Sequence, residues 1–201
     1  MNSIYQIKPW FQRQLQPIVN LLQHVGITPN MVTVSAIILS VSFAWLITAN
    51  NNLVIWLPVV LLIRMMLNAI DGMLAKQFDL QSKLGEVLNE LGDIISDVAL
   101  FIPLGAIFNF PSGPAFFFIL MMIINEYCGV LSKAITGVRR YDGPMGKSDR
   151  AFVLSIAAII LFIHPASILY SQYLMYALLI LIIWGTYNRI RFIISTENEK
   201  R

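Results

Sequence analysis

The sequence is poor in charge and in cysteine. Asp, Glu, Lys and Arg make up 12% of its 201 residues and hydrophobic residues make up 57%, whereas a soluble domain is about 25% charged. We therefore expect an integral membrane protein. The one cysteine, Cys128, cannot form an intramolecular disulfide. The net charge is only +3 and nothing resembles a nucleic-acid-binding patch, so no nucleic-acid partner is expected.

The N-terminus lacks the features of a signal peptide, since it has no uninterrupted apolar segment and no small-residue cleavage site. Residues 4–23 instead carry apolar side chains at helical spacing, with Lys8 and Arg13 on the opposite face. This pattern predicts an amphipathic helix that lies on the cytoplasmic membrane interface and is interrupted at Pro9 and Pro17. The apolar positions are Ile4, Ile7, Phe11, Leu15, Ile18 and Leu22.

Six apolar stretches follow, each of roughly 20 residues, the length of one bilayer crossing. They cover residues 31–50, 53–72, 86–110, 115–137, 150–168 and 171–193. The sequence therefore predicts an all-α integral membrane protein with six transmembrane helices. We expect one domain over residues 1–201, with an interfacial helix and linker at 1–30, a six-helix core at 31–193 and a cytoplasmic tail at 194–201.

Basic residues are confined to one side of the predicted helices. The connections on the other side contain no Lys or Arg, and Arg64 is the only one of the 14 basic residues that lies deep inside a stretch. The positive-inside rule then places both termini and the loops 77–84 and 138–149 in the cytoplasm. We expect a multi-pass protein of a bacterial inner membrane.

Polar side chains line one face of the second stretch and one face of the third. Their spacings, i, i+3, i+7 and i, i+4, place each set on a single helix face. Asp71 and Asn89 lie roughly 8–9 Å from the same cytoplasmic end, so we expect the two faces to meet. Carboxylates at this depth are costly and usually functional. The two faces consist of Asn68, Asp71 and Ala75, and of Gly85, Asn89, Asp93 and Asp97.

Clustered oxygen donors of this kind suit Mg²⁺, Mn²⁺ or Ca²⁺ and not zinc, and divalent metals pair with phosphates. Gly72 and Gly85 carry no side chain that would block a ligand, and Lys76 offers an ammonium group to a phosphate. The residues thus predict metal-assisted phosphoryl or diphosphate chemistry at a site open to the cytoplasm. The alternative is a helix pair held together by its polar side chains.

This arrangement resembles the signature of the CDP-alcohol phosphatidyltransferase family, D-x2-D-G-x2-A-R-x8-G-x3-D-x3-D, with matching spacing at every step. The resemblance implies six membrane helices, an interfacial N-terminal helix and a homodimer. It also implies a reaction in which an alcohol attacks the β-phosphorus of a CDP-linked lipid such as CDP-diacylglycerol and CMP is released. The chain places Asn68, Asp71, Gly72, Ala75, Lys76, Gly85, Asn89 and Asp93 at the signature positions.

The resemblance also implies a role for each residue. The Mg²⁺ or Mn²⁺ ligands would be Asn68, Asp71, Asn89 and Asp93. Contacts to the nucleotide and diphosphate would come from Gly72, Ala75, Lys76, Ser82 and Gly85. Asp93 would be the general base, since the attacking alcohol must lose a proton and a positioned carboxylate can accept it.

Three positions depart from the signature. Asn68 and Asn89 stand where the family has aspartate, and Lys76 stands where it has arginine. The four ligand positions therefore carry a charge of −2 in place of −4, which should weaken the binding of a pair of divalent cations. Lysine keeps its positive charge but loses the bidentate geometry of arginine.

Arg64 lies one turn before Asn68 and deeper in the membrane, where a lone arginine needs a partner. Asp97 lies at a similar depth on the third stretch, and Glu126 on the fourth. We predict a buried network of Arg64, Asp97 and Glu126 that closes the bottom of the pocket. Asp97 as a further metal ligand is the alternative.

The loop over residues 136–150 is the most cation-rich part of the chain. Lys147 and Arg150, and less readily Arg140, are candidates to bind a phosphate on the acceptor, and contact with anionic lipid headgroups is the alternative for them. We expect Arg139 to contact headgroups. Four further basic residues are expected to act only as topology signals: Arg189, Arg191, Lys200 and Arg201.

The leading hypothesis is a transferase that moves a phosphatidyl group from CDP-diacylglycerol to a small polar alcohol. Two further classes of function are the alternatives. The basic loop favours a phosphorylated acceptor such as glycerol 3-phosphate or an inositol phosphate. The sequence does not separate this reaction from its reverse arrangement, in which a CDP-linked small alcohol reacts with a lipid. The two Asn positions favour a non-catalytic CDP-lipid-binding or scaffold protein. A transporter ranks last, because the polar positions do not cross the membrane.

Overall fold

The structure, a computed structural model, describes residues 8–141 and 143–198, and the side chains of 10–141 and 143–195. The described residues are all-helical, with no β-strand among them, which confirms the predicted fold class. Two 3₁₀ segments, Asn51–Trp56 and Pro165–Tyr170, lie between helices. The helices are α1 (Lys8–His24), α2 (Pro29–Ala49), α3 (Leu57–Gln77), α4 (Lys83–Ile107), α5 (Ser112–Thr136), α6 (Lys147–Ile163) and α7 (Ser171–Asn198).

Each of the six predicted apolar stretches forms one helix, α2 to α7. By length and composition, four helical segments of the described chain could cross a membrane: Pro29–Ala49, Asn51–Gln77, Ser112–Thr136 and Pro165–Ser195. Helix α4 differs because its first half carries several carboxylates, and α6 differs because it has only 17 residues. Six crossings therefore stay a prediction.

Helix α1 runs from Lys8 to His24, and the predicted residues 4–7 lie outside the described part of the chain. Pro17 lies inside this helix without ending it, so the expected interruption there is wrong. Pro17 is exposed, and a proline inside a helix removes one backbone hydrogen bond and crowds the carbonyl of residue i−4, which can kink a helix without ending it. Leu15 and Val19 are buried while Ile18, on the same face, is exposed, so only part of the apolar face is packed against the described residues.

The described residues group into two compact units, and the first contains residues 8–43 and 59–97. Gln16 of α1 and Gln77 of α3 exchange two side-chain hydrogen bonds, at 2.8 and 3.0 Å. A Cβ at Gly92 of α4 would lie 2.6 Å from the side chain of Ile37 of α2, which shows how closely these helices pack. One cluster of its hydrophobic core consists of Leu15, Val19, Val32, Ile70, Met73 and Leu74.

The second unit contains residues 44–58 and those from 98 onward. Helices α5 and α7 pack along each other within it, and the loop before α6 packs against α7 at a point where no side chain fits. A Cβ on Gly143 would lie 2.8 Å from the Cα of Gly185, and a Cβ on Gly185 would collide with the carbonyl oxygen of Pro144. Gly143 also has a φ of +95°, which favours glycine. Glycine at 185 therefore permits backbone-to-backbone contact.

We expect Gly185→Ala to lower the stability of the protein by about 1–3 kcal/mol, because the new methyl group overpacks a contact made by backbone. Gly105→Ala in α4 is the matched control, since a Cβ there meets nothing within 4 Å and alanine favours helix. The midpoint of thermal unfolding in detergent measures both. Equal midpoints for the two variants would contradict this packing.

Candidate active site

The polar faces of α3 and α4 meet in the first unit. The side-chain amide of Asn68 donates to the carboxylate of Asp93, with Nδ2 3.3 Å from Oδ1. These are the first and the last position of the signature, 25 residues apart in sequence. Two of the predicted ligand positions therefore lie side by side.

Asp71 is buried and accepts a hydrogen bond from Thr33 of α2, whose Oγ1 lies 2.8 Å from Oδ2. The same hydroxyl lies 3.1 Å from the carbonyl oxygen of Pro29. Sequence reasoning missed Thr33. Its signal is weak, because a threonine in an apolar helix most often bonds to its own backbone, as Thr48 does.

Arg64 is 3% exposed and its Nη1 forms an ion pair with the carboxylate of Asp97. Its Nη2 donates to the backbone carbonyl of Asp93 at 3.2 Å and lies 3.6 Å from the Oδ1 of that residue. The predicted pairing of Arg64 with Asp97 is therefore confirmed. The guanidinium group also reaches Asp93, so it contacts the last signature position as well.

The two signature glycines differ in their surroundings. A Cβ on Gly72 would meet nothing within 4 Å, as expected for a position that leaves room beside the helix. A Cβ on Gly85 would lie 2.6 Å from Oδ1 of Asn30 and 3.1 Å from Oγ of Ser82. Ser82 also accepts a hydrogen bond at 2.9 Å from the backbone amide of Gly85, an N-terminal cap of α4. A side chain at position 85 would thus require the side chain of Asn30 to move.

The remaining signature residues lie near the same helix ends. Lys76 is exposed in the last turn of α3, and Ala75 precedes it, half-buried. Asn89 is half-buried on α4, four residues before Asp93 and on the same face. The ammonium group of Lys76 is therefore exposed at the C-terminal end of α3.

The four signature positions carry side chains of the type that binds a divalent cation. Asp71 and Asp93 supply two carboxylates, and Asn68 and Asn89 can add carboxamide oxygens, which are ligands that Mg²⁺ and Mn²⁺ accept. The charge of −2 balances one such ion. Within the described residues, no group of three or more Asp, Glu, His or Cys side chains is placed to hold a metal. The carboxamides would have to complete the coordination.

Glu126 has different partners from those predicted. In the second unit its carboxylate lies 3.0 Å from Arg150, 3.5 Å from Arg139 and 3.9 Å from Arg189, measured from oxygen to guanidinium nitrogen. The predicted network of Arg64, Asp97 and Glu126 is therefore wrong in its third member. We call Glu126 and these three arginines the arginine cluster. Its formal charge is +2.

The arginine cluster also corrects two assignments made from the sequence. Arg189 is 2% exposed and donates to the backbone carbonyl of Asn125 at 2.5 Å, so it is not merely a topology signal. Arg139 pairs with Glu126 and stacks on Tyr141, with its guanidinium carbon 4.7 Å from the ring centroid, so it is not merely a headgroup contact. Arg189 falls one turn after Gly185 on the buried face of α7, which is the signal that could have identified it.

Of the three residues predicted to bind the acceptor, Arg150 belongs to this cluster, and Arg140 and Lys147 are near its members in sequence. Arg150 is buried and also donates to the carbonyl oxygen of Met145 at 2.9 Å. Arg140 lies over the ring of Phe192, with its guanidinium carbon 3.7 Å from the ring centroid. Lys147 is the first residue of α6 and is half-buried. Arg150 therefore has a structural role in addition to any contact with a ligand.

Asn125 is fully buried on α5, and neither of its side-chain amide atoms has a hydrogen-bond partner within the described part of the chain. A buried amide that makes no hydrogen bond is rare, because its desolvation costs free energy. Its own backbone carbonyl is bonded to Arg189. Asn125 directly precedes Glu126 of the arginine cluster, and its side-chain amide can still form hydrogen bonds.

The sequence profile of CDP-alcohol phosphatidyltransferases matches residues 26–184. The chain is 41% identical over 203 residues to inner membrane protein YnbA of Escherichia coli (strain K12), and the alignment covers 98% of this chain and 99% of that protein.

Two crystal structures of Mycobacterium tuberculosis phosphatidylinositol phosphate synthase (PgsA1) share the fold. The one with CDP-DAG bound has a TM-score of 0.73 at 21% identity and covers 90% of this chain and 94% of that one. The one in complex with manganese and citrate has a TM-score of 0.71 at 19% identity, with coverages of 88% and 87%.

We expect Glu126→Gln to destabilise the protein by about 3–5 kcal/mol, because it removes the buried carboxylate that three guanidinium groups share. The exposed loop residue Asp79 provides the control Asp79→Asn, which should leave the free energy of unfolding within about 0.5 kcal/mol of wild type. The midpoint of thermal unfolding in detergent measures both variants. If the two variants have the same midpoint of thermal unfolding, Glu126 does not stabilise the arginine cluster.

Proposed function

The chain belongs to the CDP-alcohol phosphatidyltransferase family, which confirms the resemblance seen in its sequence, and we propose that it transfers a phosphatidyl group from CDP-diacylglycerol to a small polar alcohol. The alcohol oxygen forms a bond to the β-phosphorus, the bond to CMP breaks, and the proton goes to a base on the protein. The observation that carries this proposal is the contact of Asn68 with Asp93, which joins the two ends of the signature at one place.

We assign this reaction to a single domain of six transmembrane helices in a bacterial inner membrane, with α1 on the interface and both termini in the cytoplasm. The four apolar segments and the similarity to an inner membrane protein support the multi-pass location. The one-sided distribution of Lys and Arg supports the orientation, and hence a site open to the cytoplasm. A homodimer is proposed from the family.

A divalent cation, Mg²⁺ or Mn²⁺, would be held by Asn68, Asp71, Asn89 and Asp93. When bound, such an ion supplies positive charge to the diphosphate of the substrate. The bond from Thr33 to Asp71 fixes one of these carboxylates before any ligand arrives. Manganese in a PgsA1 structure supports the choice of ion.

The nucleotide and diphosphate would contact the ends of α3 and α4, through Gly72, Ala75, Lys76, Ser82 and Gly85. The open space beside Gly72 and the exposed ammonium group of Lys76 support this assignment. Lys76 would stabilise the charge that develops on CMP as it leaves. The bound CDP-DAG in a PgsA1 structure supports a CDP-linked lipid as the donor substrate.

Asp93 is the proposed general base. Its carboxylate lies between the amide of Asn68 and the guanidinium group of Arg64. Asn68 donates a hydrogen bond to the carboxylate, and Arg64 forms an ion pair with it at 3.6 Å and donates to its backbone carbonyl, so the two neighbours hold Asp93 in one orientation. The proton of the attacking alcohol would go to Asp93.

The acceptor is proposed to carry a phosphate that binds the basic residues of the second unit. Lys147, Arg150 and Arg140 are the candidates, because ammonium and guanidinium groups bind phosphate through charge-assisted hydrogen bonds. The free amide atoms of Asn125 could bond to hydroxyl groups of such an acceptor. A phosphorylated polyol or glycerol 3-phosphate has this chemistry.

A non-catalytic protein that binds a CDP-linked lipid or holds other proteins together is the second candidate. Asn68 and Asn89, which halve the negative charge of the signature, favour it. The test is release of CMP from CDP-diacylglycerol by purified protein with Mg²⁺ or Mn²⁺, across a panel of phosphorylated and unphosphorylated alcohols. No CMP with any alcohol would favour the binding protein.

We expect Asp93→Asn to lower the rate of CMP release by at least about 100-fold, since an amide cannot accept the proton of the alcohol. Asp79→Asn is the matched control, because it makes the same chemical change on an exposed loop and should retain full activity. Equal turnover by Asp93→Asn and wild type would refute Asp93 as the base.

Lys147→Gln should raise the KM for a phosphorylated acceptor about tenfold, the effect of losing one charge-assisted hydrogen bond, with a smaller change in kcat. The KM for CDP-diacylglycerol should not change. Arg191→Gln, at an exposed position on α7, controls for loss of surface charge. An effect of equal size in both variants would show that bulk charge, and not a phosphate contact, is responsible.

A further inference from the structure

Helix α1 packs against α3 on a face that does not carry the signature residues. By their spacing i, i+3, i+7, Asn68, Asp71 and Ala75 share one face of α3. A second face of α3, with the spacing i, i+3, i+4, i+7, contacts α1 through the core cluster that includes Leu15 and Val19 and through one pair of side-chain amides. That face consists of Ile70, Met73, Leu74 and Gln77. Helix α1 therefore supports the signature helix from its other side.

Gln16 and Gln77, which we call the carboxamide pair, join the two helices at the end of this face. Nε2 of Gln16 donates to Oε1 of Gln77 at 2.8 Å, and Nε2 of Gln77 donates to Oε1 of Gln16 at 3.0 Å. Each side chain both donates and accepts, so the two bonds fix the direction of the contact as well as its distance. Neither group is charged, so salt does not screen the contact.

The carboxamide pair holds the turn of α3 that carries Lys76. Gln77 is the last residue of α3 and directly follows Lys76, and helix ends fray where nothing holds them. The backbone amide of Leu80 bonds to the carbonyl oxygen of Ala75 at 3.0 Å, with Asp79 at a φ of +53°, which ends the helix. These backbone features fix where α3 ends along its axis, and the carboxamide pair fixes its last turn against α1.

We propose that the carboxamide pair positions Lys76 against the diphosphate of the substrate, so that α1 contributes to the binding site and is not only a membrane contact. The inference rests on the proposed function in that it takes Lys76 to bind the diphosphate. Gln16 and Gln77 are positioning residues, since they act through the backbone of Lys76 and touch no substrate atom.

The lysine at position 76 makes this support matter. Arginine, which the signature has at this position, presents a planar fork that fits a phosphate in a fixed geometry. The ammonium group of lysine is a single point of charge on a flexible stem, so its place depends on the backbone from which the stem starts. Holding the last turn of α3 against α1 limits the region that the ammonium group of Lys76 can reach.

The test measures the Kd of purified protein in detergent for CDP with Mg²⁺ present, by isothermal titration calorimetry. Gln16→Ala and Gln77→Ala each remove both bonds of the pair and should raise this Kd about fivefold, because a frayed last turn holds Lys76 in place only part of the time. Asn20→Ala is the matched control, since Asn20 accepts from Gln16 at 2.9 Å within α1 and should leave the Kd unchanged. An unchanged Kd in both glutamine variants, or an equal rise in Asn20→Ala, would overturn the proposal.

A double-mutant cycle tests whether the pair acts through Lys76. Lys76→Gln should by itself raise the Kd for CDP about tenfold, the effect of one charge-assisted hydrogen bond. In that background Gln16→Ala should add no further rise, because no ammonium group remains to be positioned. A further fivefold rise would show that the pair supports the protein in some other way and would refute the inference. Should Gln16→Ala not fold, Gln77→Ala decides in the same comparison.

Binding of CDP does not depend on turnover, so the inference and the transferase fail in different ways. Weaker CDP binding by the glutamine variants of a protein that releases no CMP would retain the inference and refute the transferase. CMP release by a protein whose glutamine variants bind CDP as wild type does would do the reverse. A wild-type protein that binds no CDP would refute the inference.

Discussion

The pairing of buried charges is the constraint on which the arrangement of both units depends. A guanidinium group in apolar surroundings is costly by several kcal/mol unless a carboxylate neutralises it. In the first unit Arg64 meets Asp97 and Asp93, which requires the polar faces of α3 and α4 to be turned toward each other. In the second unit Glu126 is shared by arginines from the loop after α5, from α6 and from α7. In each unit the ion pairs limit how the helices can rotate.

This constraint has a direct bearing on the proposed chemistry. A base that must accept a proton from an alcohol has to be held in one place, and Asp93, the proposed base, has an amide on one side and a guanidinium group on the other. Membership of the family supplies the class of reaction. The presence of asparagine at two signature positions lowers the negative charge of the proposed site, and Arg64 beside it is paired with Asp97.

The signature glycines show that one motif can serve two physical needs. At Gly72 the space beside the helix is open, as a ligand-binding position requires, whereas Gly85 is packed against Asn30 and Ser82. Spacing alone treats the two positions alike. Gly143 and Gly185 lie outside the signature and permit a close approach of two backbones in the second unit, which sequence reasoning did not identify.

The sequence by itself determined the class of protein, the all-α fold, the position of each helix and the two polar faces that meet at Asn68 and Asp93, because hydrophobic length and helical spacing are properties of local sequence. Only the tertiary structure decided which carboxylate each arginine pairs with. Glu126 and Asp97 looked equivalent as partners for Arg64, and Arg189 looked like a surface charge, yet Glu126 pairs within its own unit and Arg189 is buried beside it. The physical reason is that an ion pair depends on the rotation of two helices and the reach of two side chains, and neither quantity is contained in the spacing along one helix.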